Sequence, residues 1–156
     1  MAATQGTQML TRAGIGFTLH PYDYDPGADR VGLQAAEALG LPPALTLKTL
    51  MVEVDGRPAC CVIPADDTLS MKKVAAAFGG KHAEMMPPPK AERLTGYHVG
   101  GISPFGQKRA VPTAIELAAT AAEKVWINAG QRGLLLGIAP ADALQVLQAK
   151  AAPLTA

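Results

Sequence analysis

The residues best able to do chemistry are concentrated in one glycine-rich run, GGISPFGQKR at residues 100–109. Gly100 and Gly101 let a ligand approach the main chain closely, as a phosphate cradle or an oxyanion hole requires. The run matches neither the Walker loop nor the dinucleotide-binding fingerprint, and a plain tight turn is the alternative. Ser103 has no nucleophile-elbow context and no assignable His and Asp partners, so the sequence does not favour a serine hydrolase.

A second candidate is Lys48, which lies near the start of an apolar strand. Period-two alternation puts its amine on the same face as Leu50, Val52 and Val54. A buried amine without a partner is costly. Either the side chain reaches solvent at the strand end, or the amine faces a cleft with an anionic occupant, and we favour the cleft.

The cysteines and histidines could supply a nucleophile or metal ligands, but their placement favours neither use. Cys60 and Cys61 are adjacent in the run PACCVIP, where a strand directs their side chains to opposite faces. We interpret both as small buried hydrophobic residues, with a catalytic thiol as the alternative. A zinc site needs about four clustered ligands. The histidines are single and far apart, so we expect no metal and no cofactor; they are His20, His82 and His98.

The net charge of +1 conceals an uneven distribution along the chain. Residues 1–70 carry four Lys or Arg against eight Asp or Glu, whereas residues 71–109 carry seven against two, a balance of +5. Such a region can attract a polyanion even in a nearly neutral protein, although from charge alone we favour a solvated surface. The candidate phosphate contacts are Lys72, Lys73, Lys108 and Arg109.

Length and periodicity predict the framework that positions these residues. With 156 residues, of which 49% are hydrophobic, the chain is expected to form one domain over residues 1–156. No signal peptide or spanning helix can be drawn, so we expect a cytoplasmic protein without a membrane partner. The pattern is α+β, with helices over 4–13, 31–39, 71–79, 90–94, 114–122 and 141–149, and strands over 17–22, 46–54, 58–63, 124–128 and 134–138. The sequence Asp55-Gly56 predicts a hairpin, and Ser70 a helix cap.

Five segments, in their order and spacing, resemble the YbaK/EbsC family of aminoacyl-tRNA editing domains. They are FTLHPYDYDP at 17–26, LKTLMVEVDG at 47–56, LSMKKVAAAFGGKHAEM at 69–85, TGYHVGGISPFGQKR at 95–109 and NAGQRG at 128–133. The resemblance implies an α+β domain with a mixed, mostly antiparallel sheet and flanking helices. It also implies a tRNA acceptor end as substrate, and a prolyl-tRNA synthetase as a possible partner.

The same resemblance implies roles for individual residues. Lys48 would orient the substrate through its terminal adenosine and phosphate, Tyr22 would offer a hydroxyl near the aminoacyl ester, and Gly100 and Gly101 would supply main-chain contacts. In the reaction on Cys-tRNA(Pro), the cysteine thiol of the substrate attacks its own ester carbonyl and leaves as a thiolactone. No protein nucleophile is then needed. The remaining substrate contacts expected are Ile102, Ser103, Asn128, Gly130 and Arg132.

The turn at residues 128–133 departs from the family's Ser-Gly-Gly-Lys-Arg-Gly pattern. An acidic residue that can follow this turn is replaced within Leu134–Leu136. These changes bear on which amino acid is removed more than on the class of reaction. Two alternatives therefore stand: a deacylase that uses water on Ala-tRNA or another small mischarged residue, and a noncatalytic module that binds tRNA or nucleotide ends.

Overall fold

The computed structural model describes residues 3–26 and 31–156. Its α-helices are α1 (Gln5–Arg12), α2 (Val31–Leu39), α3 (Met71–Ala77), α4 (Pro88–Thr95) and α5 (Pro140–Leu147). The strands are β1 (Thr18–Pro21), β2 (Thr46–Val54), β3 (Arg57–Pro64), β4 (Ala83–Met85), β5 (Thr113–Glu116), β6 (Val125–Gln131), β7 (Leu134–Ile138) and β8 (Lys150–Ala152). Short 3-10 turns cover Pro43–Leu45 and Leu117–Ala121.

The strands form one mixed sheet in the order β1-β7-β6-β2-β3-β5-β8, with β4 paired to β2 beside this path. Within the described residues, four pairings are antiparallel and three are parallel. The predicted α+β class with a mixed, mostly antiparallel sheet is therefore confirmed. Among these residues no helix is both long and apolar enough to cross a membrane.

Local signals in the sequence explain the best-predicted elements. Asp55 and Gly56 both have positive φ, which is the conformation that a two-residue hairpin turn demands, and β2 pairs with β3 over its length as predicted. The Ser70 hydroxyl accepts a hydrogen bond from the Lys73 amide (3.3 Å), so the predicted cap at the start of α3 is confirmed.

The sheet is covered on both faces. Along β2, Leu47 and Met51 belong to one hydrophobic cluster, whereas Val52 and Val54 belong to the other, on the side of α3. Lys48 shares the face of Val52 and Val54, as the alternation predicts. A binding site for a ligand can therefore form only where the packing of these two clusters leaves an opening.

Three features differ from the sequence prediction. The helix predicted over 114–122 is wrong: its first part is β5, and a 3-10 turn follows. Strands β4 and β8 were not predicted, and each has three residues. β5 lies between β3 and β8 with parallel pairing to both, and this tertiary pairing overrides the helical preference of an alanine-rich segment.

Candidate functional site

A cleft opens at a gap in the sheet beside β2. One edge of β2 pairs with β3, and its other edge pairs with β6 at Thr46–Leu47 and with β4 at Val52–Val54. Residues 48–50 lie between these two pairings, so no described strand continues the sheet next to them. The resulting cavity has a volume of about 280 Å³, near the lower end of small-molecule sites.

Five of the residues singled out in the sequence line this cleft. They come from four separate parts of the chain: the end of β1, strand β2, the glycine-rich run at residues 100–109, called the glycine loop below, which contributes two of them, and strand β6. These residues are Tyr22, Lys48, Gly100, Ile102 and Asn128. The fold therefore brings together residues that are far apart in sequence, as a binding or catalytic site requires.

Lys48 carries the one charge on the described lining of the cleft. Its side chain is half-buried, and Nζ donates to the carbonyl of Ala65, just after β3 (3.2 Å). This contact is made by the ammonium group itself and helps to fix the side chain of a residue that lines the cleft. A cation among apolar walls attracts a phosphate or an oxygen that gains negative charge during a reaction.

Tyr22 follows β1 and is anchored by its main chain, since its N–H donates to the carbonyl of Gly133 (2.9 Å). Gly133 has a positive φ, and a Cβ there would lie 2.7 Å from the Tyr22 carbonyl. Burial raises the pKa of the Tyr22 phenol. At neutral pH the residue therefore carries its proton and can donate a hydrogen bond into the cleft.

The side chain of Asn128, on β6, forms hydrogen bonds with two parts of the cleft wall. Its Oδ1 accepts from the amides of Gly130 (2.6 Å) and Gln131 (3.1 Å), at the bulge in β6. Its Nδ2 donates to the Gly100 carbonyl (3.4 Å). The side chain therefore joins the bulge to the glycine loop, and Gly100, with a φ of +92°, brings its main chain to the cleft.

Four predicted substrate contacts lie outside the lining of this cleft. The Gly101 amide donates to the His98 carbonyl (2.8 Å), and Ser103 is fully buried, with Oγ accepting from the Phe105 amide (3.1 Å). Gly130 and Arg132 lie behind the glycine loop, beside Gly101. The contacts of these four residues are with the loop itself and with the turn after β6, and they help to fix the conformation of the loop.

Arg132 holds the glycine loop in two ways. Its Nε donates to the Val99 carbonyl (2.9 Å), and its guanidinium carbon lies 5.6 Å from the centre of the Tyr24 ring. A Cβ on Gly100 would meet the Tyr24 hydroxyl, and one on Gly101 would lie 2.7 Å from the Arg132 amide nitrogen. Both glycines are thus required for close contact between the loop, Tyr24 and the turn after β6.

The sequence analysis missed most of the apolar lining and two threonines. The missed residues are Ala35, Thr46, Leu47, Thr49, Leu50, Met51, Met85, Met86, Pro88, Ala91, Val99 and Leu135. The Thr49 hydroxyl is buried and has no hydrogen-bond partner among the described residues. Thr49 follows Lys48 directly in the sequence, which could have identified it as a candidate site residue. Met85 and Met86 gave no such signal, because the sequence does not predict β4.

The described cleft lining contains no Cys, His, Asp or Glu that could serve as a nucleophile or general base. Cys60 and Cys61 are both buried in β3, and burial raises the pKa of each thiol to about 12. They are therefore poor nucleophiles at neutral pH. The arrangement can bind, orient and stabilise charge, and it leaves the attacking group to the substrate or to water.

The four basic residues predicted to contact phosphates lie on the surface, outside the cleft lining. Lys72 and Lys73 are exposed on α3, and the Lys73 ammonium donates to the Thr155 carbonyl (2.7 Å). Lys108 and Arg109 are exposed after α4, with their amides bonded to the carbonyls of Thr95 and Leu94. The structure leaves all four accessible to solvent.

The fold is similar to that of solved structures that share little sequence identity with this chain. One, provisionally described as a trans-editing enzyme for prolyl-tRNA synthetase, superimposes with a TM-score of 0.84 over 97% of this chain and 95% of that chain, at 22% identity. A second, described as a hypothetical protein, gives a TM-score of 0.86 over 98% of this chain and all of that chain, at 21% identity. These likenesses define the fold class as a YbaK-like editing fold.

Sequence relatives identify the family. The profile of the aminoacyl-tRNA editing domain matches residues 25–146. A protein of Enterococcus faecalis with the provisional name Cys-tRNA(Pro)/Cys-tRNA(Cys) deacylase EbsC is 34% identical over 137 residues, covering 86% of this chain and 83% of that protein. The proline–tRNA ligase of Acidithiobacillus ferrooxidans is 31% identical over 113 residues, which are 66% of this chain but 20% of the ligase. The chain belongs to the aminoacyl-tRNA editing domain family, whose class of function is the editing of charged tRNA.

Proposed function

We propose that this protein is a trans-editing deacylase that removes cysteine from mischarged Cys-tRNA(Pro) in the cytoplasm. The observation that carries the proposal is the composition of the cleft, whose described lining offers one cation, Lys48, and no Cys, His, Asp or Glu. A substrate that brings its own nucleophile fits such a site. Membership of the editing family supports the same conclusion.

The proposed reaction balances without a protein nucleophile. The cysteine sulfur bonds to the ester carbonyl carbon, the bond from that carbon to the ribose oxygen breaks, and the thiol proton ends on the ribose hydroxyl. The products are a cysteine thiolactone and free tRNA. The protein holds thiol and carbonyl in contact and stabilises the developing oxyanion, for which Lys48 and the Tyr22 hydroxyl are the available donors.

A second candidate is a deacylase that acts on Ala-tRNA with water as the nucleophile. Leu135 favours it, because this apolar side chain lines the cleft in the segment where an acidic residue can occur in the family. Ala35 and the methionine side chains add further apolar wall. An alanine methyl group fits such a lining as well as a thiol does, and discrimination between small side chains depends on a few contacts.

Separately prepared Cys-, Ser-, Ala- and Pro-charged tRNA(Pro) distinguish the candidates. We expect rapid deacylation of Cys-tRNA and much slower loss of Ser from tRNA, since a hydroxyl is a far weaker nucleophile than a thiol at neutral pH. Rapid deacylation of Ala-tRNA would favour the water mechanism. Binding of charged tRNA with no deacylation of any of the four would favour the noncatalytic module.

The tRNA partner also suggests a protein partner. Because a similar segment occurs within proline–tRNA ligases, we propose that this chain acts beside a prolyl-tRNA synthetase and receives the mischarged tRNA from it. Addition of the synthetase should then raise the rate of editing at low tRNA concentration. An unchanged rate would mean that the chain selects its tRNA alone.

A further inference from the structure

The main chain directly before the glycine loop is held by charged side chains from two different elements. The Val99 N–H donates to Glu92 Oε2 on α4 (2.9 Å), and the Val99 carbonyl accepts from Arg132 Nε after β6 (2.9 Å). A hydrogen bond in which one partner is ionised is roughly twice as strong as a neutral one. The two peptide groups that flank the Val99 Cα are therefore fixed, although the side chain of this residue is exposed.

The helix that carries Glu92 is itself attached to the strand that carries Lys48. Two positions before Glu92 on α4, Lys90 Nζ binds Glu53 Oε1 of β2 (2.9 Å). The Glu53 side chain is only 14% exposed, so this ion pair is partly shielded from water. Ala91 of the same helix is buried and lines the cleft. Helix α4 therefore connects one wall of the cleft to the main chain before the glycine loop.

The surroundings of Glu92 keep its carboxyl group charged. The hydrogen bond from the Val99 amide lowers the pKa of Glu92, and two neighbouring cationic groups, His98 and Arg132, lower it further. The His98 Nδ1 atom lies 3.5 Å from Glu92 Oε2. At neutral pH the acceptor of the Val99 N–H is therefore a carboxylate, and the donor to the Val99 carbonyl is a guanidinium group.

The direction of the Gly100 N–H depends on the Val99 carbonyl, because both belong to one planar trans peptide, in which N–H and C=O point in opposite directions. By holding the carbonyl, Arg132 turns the Gly100 N–H away from itself. This N–H forms no hydrogen bond with the described residues. Gly100 lines the cleft, whereas Arg132 does not. A main-chain donor without a protein partner is thus held in a fixed direction at the cleft wall.

We propose that Glu92 and Arg132 are positioning residues, which hold the Val99 main chain so that the Gly100 N–H is directed at the oxygen that gains negative charge during deacylation. This inference rests on the proposed function. Both side chains lie outside the described lining of the cleft, so they act through the main chain. A donor that is fixed before the reaction stabilises such an oxygen without reorganisation. Because the charge develops in the transition state, the pair should affect kcat more than KM.

The test compares two substitutions at each position. Glu92→Ala and Arg132→Ala remove the hydrogen bonds to Val99. Glu92→Gln keeps an acceptor oxygen, and Arg132→Gln keeps an N–H donor at the place of Nε, although both lose their charge. The matched controls are Glu123→Ala and Arg93→Ala, at exposed positions whose side chains form no hydrogen bond or ion pair with the described residues. Thermal unfolding shows which variants are folded.

The rate of deacylation of Cys-tRNA(Pro) is then measured for each folded protein. We expect each Ala variant to lose about tenfold in kcat with KM nearly unchanged, because a small misplacement of a donor is costly in the transition state. The Gln variants should keep most of the activity. The double Ala variant should lose little more than either single variant, because both residues act on the same peptide.

Other outcomes separate this inference from the proposed function. A wild-type kcat in both folded Ala variants would overturn the positioning role and leave the deacylase intact. A raised KM with unchanged kcat in both Arg132 variants would overturn the role of this residue and assign it to a tRNA phosphate. Fast hydrogen exchange of the Val99 amide in the wild-type protein would overturn the role whatever the activity. A wild-type protein that deacylates none of the charged tRNAs would overturn the proposed function, and the positioning role with it.

Discussion

Lys48 shows how much a single position in the sequence can reveal. A strand pattern put its amine on an aliphatic face, and the structure locates that face at a cleft between β4 and β6. The sequence could not show why the site is open there, because the gap is created by β4 and β6, which are remote in sequence. The sequence therefore predicted the face on which the Lys48 amine lies, but not the shape of the cleft around it.

Replacing Lys48 by Ala should reduce deacylation. Loss of a charge-assisted contact in a partly dry cleft removes on the order of 1.5 to 3 kcal/mol, or about tenfold to a hundredfold in kcat/KM at low substrate. The rate on Cys-tRNA(Pro) checks this, with Lys150→Ala on β8 as the control. Because Lys48 also donates to Ala65, thermal unfolding must show that the variant is folded. A wild-type rate would contradict the assigned role.

Cys60 and Cys61 should be dispensable for chemistry. Both thiols are buried, and burial raises the pKa of each to about 12, so the reactive thiolate is scarce at neutral pH. The double variant Cys60→Ala, Cys61→Ala is expected to lose stability, on the order of 1 kcal/mol for each substitution, and to keep its deacylation rate once folded. Loss of the reaction in a folded double variant would instead support a protein nucleophile.

The residues around the glycine loop show where reasoning from sequence stops. Sequence proximity grouped Ser103 and Gly101 with Gly100, but only Gly100 and Ile102 of this run line the cleft. The Ser103 hydroxyl is turned inward to the Phe105 amide, and the Gly101 amide is bonded to His98. The direction of a side chain or amide in an irregular loop depends on such contacts. No periodic pattern reports them.

Among the helices and strands, prediction succeeded where the signal was local. The hairpin turn, the Ser70 cap and the amphipathic helices each depend on a few adjacent residues. Strand β5 was mistaken for a helix because its parallel partners, β3 and β8, are distant in sequence. Strands β4 and β8 are too short to show a period. Since β4 forms one side of the cleft, this local failure hid part of the site.

Glu116 at the end of β5 ties the C-terminal segment to the sheet. One carboxylate oxygen accepts from the amides of Leu154 (2.8 Å) and Thr155 (3.0 Å), and the other accepts from Ala118 (3.2 Å). Burial by itself raises the pKa of Glu116, which is 7% exposed, but these amide donors outweigh burial and the pKa is lowered. The folded protein therefore favours the charged carboxylate.

Glu116→Gln should destabilise the fold by about 2 kcal/mol at neutral pH, because hydrogen bonds to a charged acceptor are lost. A lowered pKa in the folded state gives stability that is present above the ordinary pKa of 4.5 and is lost as the pH falls through the folded value. Urea unfolding at several pH values checks both points. The variant should lack this part of the pH dependence, and Glu123→Gln, at an exposed position, should retain it. Equal stability of wild type and Glu116→Gln across the range would contradict the role.

At the scale of the whole molecule, the distribution of charge determines how the surface outside the cleft can attract tRNA. A net charge of +1 gives little general attraction to tRNA, so any attraction depends on the segment at 71–109 with its balance of +5. In the structure the four candidate phosphate contacts are divided between α3 and the segment after α4, and all four are exposed. The sequence predicted the excess charge, and the structure adds that these side chains are exposed to solvent.

Replacing either basic pair by Gln should weaken the salt dependence of tRNA binding. The pairs are Lys72 with Lys73, and Lys108 with Arg109, and phosphate contact by such residues releases counterions without reading bases. The slope of log affinity against log salt should flatten by roughly one unit for each phosphate that the variant no longer neutralises. Binding measured over a series of salt concentrations checks this, with Arg57→Gln, exposed but outside this segment, as the control.

Because Lys73 also donates to Thr155, the Lys72 and Lys73 variant needs a separate stability measurement. If both double variants keep the wild-type slope, these side chains serve only as a solvated surface, and the acceptor stem approaches the cleft from another side.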